Sequence, residues 1–518
     1  MYFDLILILI YLVVIMGIGI WGRLRNEVGV DEYFLSSRSL KWPYIAVSTI
    51  ATNIQANHFV AMAGSAYVFG LAQANLEINA VFGILLAAFV FVPIYLQMKV
   101  VTITQFFEKK LGARVALTYS VLMIFLYSFM YLGTALFWAS YVLEGIFGNI
   151  LSVFSDERAI RMAILIIFTG LFSAIYTYMG GLRAVVRTDV IQFVILVAGG
   201  FITLFIAVKH LGGWEQLWGK TGHLMHLHLP SDHDTLPWTG IIGMLLLNLN
   251  YWGANQVILQ RALAAKSLRD AQIGLLVGGG LKYIMAIIII IPGIALAGIL
   301  REKSLADPDL AYITLVRDFL PDGLRGIILM GLFASLMSTL DSIYNSVSTL
   351  WSIDIYKKYI RPDATESEIV GAGKKSILAA FITGALFSFV VLYVKFDNPT
   401  FPLTHWFNQL SYFVKNGFVI IIMSAVFLLR PSRKLVLFTM LFSMPFTYLF
   451  MKFLPDMNYF IRSAWVILLS FGFIAATTFL KSGELFNSNN MLVVSDKYVG
   501  RLGILLALSL IFCHIIFH

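Results

Sequence analysis

Charged side chains are scarce in this sequence: Asp, Glu, Lys and Arg make up 13% of it, against 59% hydrophobic residues. That balance excludes a soluble globular domain, because too little polar surface is left to face water. A single cysteine, Cys513, excludes an intrachain disulfide. Also missing is the alternation over roughly 10 residues that a membrane barrel strand needs. Long continuous apolar blocks are present instead. Leu5–Trp21, Val190–Val208 and Leu502–Phe517 each contain no Asp, Glu, Lys or Arg. The mean hydropathy is +0.84, and a bilayer crossing takes about 20 apolar residues. Helices satisfy their backbone hydrogen bonds internally in lipid, so the chain reads as an all-α polytopic membrane protein.

The first block lacks a basic start and a small-residue cleavage site, and Arg23 and Arg25 follow it, so it is expected to span rather than to be cleaved. About fourteen spans are predicted, near 4–22, 44–67, 76–98, 115–146, 158–179, 184–208, 238–260, 271–300, 322–356, 374–396, 404–429, 434–452, 461–480 and 500–517. With the N-terminus outside and strict alternation, 24 of the 37 Lys and Arg residues fall in inside loops, Arg183, Arg187, Arg261 and Lys266 among them. Cytoplasmic loops collect such charge, so the bias predicts an inner (cell) membrane protein with both termini extracytoplasmic. It also accounts for the formal net charge of +9 without a nucleic-acid partner. Five histidines, His210, His223, His226, His228 and His233, fall in the outside loop 209–237. Such a set can bind zinc, but that needs fixed tetrahedral geometry, and a solvated polar loop is the simpler reading.

Charge inside a bilayer is costly, which makes an intramembrane ionisable residue a functional hypothesis. Glu77, Asp189, Lys282 and Asp341 stand out, and Lys415 sits in the eleventh span. Glu77 and Asp189 lie near span ends and could face water; Lys282 and Asp341 have apolar runs on both sides. In the ninth span Ser335, Ser338, Thr339, Ser342, Asn345 and Ser346 recur at spacings of three and four, which puts their oxygens on one helical face. Close packing of small residues explains such a stripe, but not the carboxylate of Asp341 beside it. Hydroxyls and a carboxylate together suit a hard cation.

The second span crowds Asn53, Gln55, Asn57 and His58 at its middle. Broken helices in transporters offer backbone carbonyls to Na⁺ at the midplane, and a break is predicted near Ala51–Gln55. The seventh span adds Asn248, Asn250, Tyr251, Trp252 and Gln256, with Gly253 able to loosen the helix. A polar solute trades water for protein hydrogen bonds. Asn53, His58, Glu77, Asn248 and Lys282 would supply these, with Tyr251 or Trp252 as an aromatic platform. Glu77 and Lys282 would neutralise each other.

These stretches carry a resemblance. DEYFLSSRSLKWP, STIATNIQANHFVAMAGSAY, YTYMGGLRAVVRTDVIQ, NYWGANQVILQRALAAKSLRDAQIG and SLMSTLDSIYNSVSTLWSIDIYKKY resemble the sodium/solute symporter family, and within it the bacterial and animal sodium/sugar cotransporters. The resemblance implies a five-plus-five inverted repeat like that of the leucine transporter, here about 44–208 and 238–430, with peripheral helices at 4–22, 434–452, 461–480 and 500–517. It implies a main Na⁺ site of Ala51, Ile54, Ser335, Ser338 and Thr339. A possible second site would use Asp189, Ser338 and Ser342 with Asp341, where a small or hydroxyl residue is usual. It implies a sugar site of Asn53, His58, Glu77, Asn248, Tyr251 and Lys282, with Tyr251 closing the inner exit and Gln409 as a further contact. Leu76 stands where some members have an aromatic. Sialic-acid members hold the carboxylate with an arginine; residues 115–146 contain no Lys or Arg, which disfavours that substrate. The expectation is a Na⁺-coupled symporter of a small polar solute, with one or two Na⁺ per cycle. Rival readings are a symporter for proline, a carboxylate or another metabolite, and an ion channel. No nucleophile–base pair suggests an enzyme.

Overall fold

The computed structural model describes residues 29–54, 58–300, 307–321, 323–397, 403–484 and 492–518, with Leu305 and isolated positions before residue 29. The expected span 4–22 lies largely outside the described residues, as do Gln55 and Asn57. The regular elements are helices: among the described residues there are only two isolated β-bridges, Leu40–Ala265 and Leu229–Pro237. Eleven helices among these residues are long and apolar enough to cross a membrane.

Ten of the eleven coincide with single expected spans, from Ala113–Leu151 to Lys497–Ile516. The eleventh, His58–Gln97, turns at Gly70, whose φ of +64° suits a residue without a Cβ. Two expected spans, 44–67 and 238–260, are interrupted helices. The first comprises Trp42–Asn53 and the stretch from His58; the second comprises Ile241–Gly253 and Gln256–Leu263.

The spans expected at 158–179 and 184–208 lie within one helical run, Arg158–Leu211. It cannot be straight. Thr177 hydrogen-bonds to Asp341, and Asp189 accepts from Ser338. On the partner helix Ser338 and Asp341 are about 4.5 Å apart in rise, whereas Thr177 and Asp189 would be about 18 Å apart on a straight helix. The axis therefore bends between them.

Helix placement follows composition. Leu324–Ile360, with the serine stripe, is the central helix: 89% of its most apolar stretch is buried, against 17% for Lys497–Ile516. Its small residues permit close approach. A Cβ on Gly331 would lie 3.3 Å from the Ile195 carbonyl of the bent run. Leu268–Leu300 packs as closely on the second half of the first interrupted helix, where a Cβ on Gly293 would meet the Ala63 carbonyl at 2.3 Å. The interrupted helix is thus held between the serine helix and the helix that carries Lys282.

Candidate functional site

The first interruption falls within the predicted segment. Trp42–Asn53 ends as Ile54 leaves helical geometry at φ −86° and ψ 104°, and the chain resumes in one π-helical turn, His58–Met62. A helix end leaves carbonyls without partners in the helix. The Ser335 hydroxyl donates to the Ile54 carbonyl at 2.5 Å, across 281 positions of sequence. About two turns further along the serine helix, Thr52 Oγ1 and Ser342 Oγ lie 3.1 Å apart. Ala51, Ile54, Ser335, Ser338 and Thr339 are all buried where the two helices meet. Thr339 donates back to the Ser335 carbonyl at 3.1 Å. The Ser338 hydroxyl donates to Asp189 at 2.5 Å, so its lone pairs remain available. The donor set of carbonyls and neutral hydroxyls is of the kind a hard monovalent cation accepts.

The expected second set is arranged differently. Asp189 is fully buried rather than facing water, and it accepts from Ser338, from Ser48 and, at 3.6 Å, faces Arg261. Arg261 was assigned to an inside loop by its sequence position. The structure corrects this: Arg261 is fully buried, with Nη2 2.5 Å from Ser342 Oγ and Nε 3.1 Å from Ser48 Oγ. A guanidinium already stands among these oxygens. Asp341 does not join them. Its Oδ1 accepts from Ser173 at 2.6 Å and Thr177 at 3.0 Å, while its buried Oδ2 has no partner among the described residues.

Next to the Ile54 break lies a cavity of about 230 Å³. Drug-sized ligand sites occupy about 300–1,000 Å³, so this one fits a smaller solute. Asn53, His58, Glu77, Asn248, Tyr251 and Lys282 all line it, as does Leu76. Five of them form one chain. Asn53 donates to the Tyr251 hydroxyl at 2.7 Å and accepts from Lys282, whose ammonium also pairs with Glu77. The His58 ring lies 3.5 Å from the other Glu77 oxygen. Glu77 and Lys282 are 3% and 1% exposed, and each offsets the burial of the other. Asn248 donates to the Met244 carbonyl at 3.0 Å. Tyr251 meets Trp252 edge-on at 5.5 Å between ring centres.

Gln409 does not line the cavity; its neighbour Asn408 does. One residue on a helix is about 100° of rotation, which separates the two faces. Sequence reasoning also missed Gln73, whose Oε1 is buried in this lining without a partner among the described residues, as is Trp252 Nε1. The second interruption, at Ala254 and Asn255, is held by buried tyrosines. Tyr95 donates to the Gly253 carbonyl at 2.5 Å, Tyr119 to that of Ala254, and Tyr127 to Asn255 Oδ1 at 2.6 Å. Gly253 was the sequence signal for it; the tyrosines carried none.

In the histidine-rich stretch 209–237, His228 Nε2 shares a hydrogen bond with His514 Nδ1 at 3.0 Å. Among the described residues no group of three or more His, Cys, Asp or Glu is placed to hold a metal ion.

The model of the sodium:solute symporter family matches residues 33–442. The chain is 30% identical to the sodium/glucose cotransporter of Vibrio parahaemolyticus, over 96% of this chain and 94% of that one. It is 35% identical to sodium/glucose cotransporter 1 of Mus musculus over 72% of this chain, spanning 61% of that relative's length. Among solved structures, a Na⁺-coupled sialic acid symporter in a substrate-bound outward-open state aligns with a TM-score of 0.77 and 18% identity, over 92% of this chain and 98% of that one. The family model and these relatives cover most of the chain, and the chain belongs to the sodium:solute symporter family.

Proposed function

We propose that this chain couples the inward movement of Na⁺ to the import of a monosaccharide or a closely related sugar by alternating access. One observation carries the reading: the last residues before the break, Ala51–Ile54, serve two sites at once. Its Ile54 carbonyl meets the serine helix, and its Asn53 side chain holds Tyr251 and Lys282 in the cavity. A cation bound by the carbonyls of Ala51 and Ile54 and the hydroxyls of Ser335, Ser338 and Thr339 fixes the backbone that presents Asn53. Binding of either then favours the other, and this linkage is reciprocal. Arg261 already supplies a cation among Asp189, Ser338 and Ser342, so the reading assigns the coupling Na⁺ to the main site. A Na⁺ entering across 100 mV supplies about 2.3 kcal/mol, plus its concentration gradient.

The cavity supports a sugar over proline or another metabolite. Amide, ammonium and carboxylate groups converge beside an aromatic wall, as a ring with many hydroxyls and one apolar face requires. Relatives named as sodium/glucose cotransporters, bacterial and animal, support the same class. The repeats are placed at about 44–208 and 238–430, within a total of about fourteen spans. The interruptions at Ile54 and Ala254–Asn255 support this, since each falls in the first helix of a half. The charge bias supports both termini outside and an inner-membrane location, and the family resemblance supports peripheral helices at 4–22, 434–452, 461–480 and 500–517.

Uptake into proteoliposomes is the test. Sugar should accumulate under an inward Na⁺ gradient and not under an equal K⁺ or H⁺ gradient. Equal accumulation without Na⁺, or conductance without accumulation, would remove the reading.

A further inference from the structure

The charges that line the cavity do not balance. Its ionisable wall residues are Glu77, His58, Lys282 and Lys415. Glu77 is matched by Lys282 and adjoins His58. Lys415, on Leu403–Phe427, has neither an ion pair nor a hydrogen bond among the described residues. Its ammonium instead lies 5.1 Å from the ring centre of Tyr131 and 5.1 Å from that of Tyr412, both of which line the same cavity. Aromatic faces attract a cation but replace only part of its lost hydration. When Lys415 is protonated, the cavity carries one positive charge beyond what its carboxylate matches, and a neutral sugar leaves that charge uncompensated.

We propose that the cargo is a sugar acid, a monosaccharide bearing one carboxylate, and that Lys415 is the residue that selects it. This rests on the reading of the cavity as a sugar site. The ammonium is a compact point charge that one carboxylate matches in full, whereas a phosphate monoester carries nearly twice that charge and would itself be left partly uncompensated. Tyr131 and Tyr412 hold the ammonium without neutralising it, so the charge stays available to the ligand. The stretch 115–146 contributes no cation of its own, yet through Tyr131 it supports one from a helix far along the chain. Orphaned Gln73 Oε1 and Trp252 Nε1 remain for the hydroxyls of the ring.

The test uses the full chain in proteoliposomes under an inward Na⁺ gradient. Labelled D-glucuronate and D-galacturonate are compared with the matched neutral sugars D-glucose and D-galactose. Wild type should take up an acid in preference to its neutral counterpart. Lys415→Gln should raise the KM for the acid by about 10- to 100-fold, the range for loss of a charge-assisted contact. The change in KM for the neutral sugar should be much smaller than that for the acid, and Lys415→Arg should retain most of the preference. Na⁺-driven uptake of neutral sugar with no advantage for the acid, or a Lys415→Gln variant that weakens both alike, overturns this inference and leaves the sugar reading standing. Absence of Na⁺-dependent uptake of all four overturns both.

Discussion

Replacing Glu77 with glutamine removes the carboxylate opposite Lys282 and keeps the shape of the side chain. Lys282 is 1% exposed, and its ammonium would retain only Asn53 as a charge-free close partner among the described residues. Two unit charges about 3 Å apart attract by about 5.5 kcal/mol at an effective dielectric constant of about 20. Measured losses on breaking a buried pair are about 3–5 kcal/mol, because the remaining charge stays desolvated. If that free energy is expressed in the cavity rather than in global unfolding, sugar affinity should fall by about 10²- to 10³·⁵-fold. The assays are Na⁺-driven uptake and the rise in melting temperature that saturating sugar produces in detergent. Glu77→Gln should lose both. The double variant Glu77→Gln/Lys282→Met removes both charges and should recover most of the ligand-free melting temperature, yet still fail to transport. A single variant with normal KM, or a double variant that regains uptake, would refute the claim that this pair builds the sugar site.

Three further outcomes are expected. Thr339→Ala should raise the Na⁺ concentration for half-maximal uptake by about 5- to 30-fold, the range for one lost ligand of about 1–2 kcal/mol, with cargo KM at saturating Na⁺ nearly unchanged; Na⁺ titration of initial rates decides. Arg261→Met leaves Asp189 buried without its cation and should cost about 3–5 kcal/mol of stability, most of it recovered by adding Asp189→Asn, as read by melting temperature. Burial lifts the Asp309 carboxyl, in the loop beside Lys395, from 3.8 to about 6, with Lys395 opposing the rise. A carboxyl raised on folding stabilises the fold when protonated, so its contribution is present below pH 3.8 and lost as the pH passes through about 6. Between pH 5 and 7 the wild type should therefore lose melting temperature relative to Asp309→Asn, and parallel curves would contradict this.

Features set by local chemistry were legible in the sequence. The serine stripe shows its face through its spacing of three and four, and crowded amides at Asn53–His58 announce a helix that stops. Intramembrane Glu77 and Lys282 could be paired on charge alone, and the structure joins them. Features set by the path of the chain were not legible. Arg261 looks like a loop cation because positive charge is counted by position, whereas the second interruption carries it inward to Asp189. Asp341 shares a helix with Ser338 but turns toward Ser173 and Thr177, a choice made by the bend in Arg158–Leu211. Gln409 and Asn408 differ by one position, and only the packed helix shows which faces the cavity. Lys415 was visible as a charge in an apolar span, but its aromatic neighbour Tyr131 lies in another helix.

The central claim is that one interrupted segment joins the cation to the cargo, and equilibrium binding tests it most directly. The dissociation constant of the sugar should be measured across Na⁺ concentrations, and that of Na⁺ across sugar concentrations, on purified protein with K⁺ holding ionic strength constant. The two should tighten by the same factor, and Thr339→Ala should shrink that factor. A sugar affinity identical in Na⁺ and K⁺ would contradict the account.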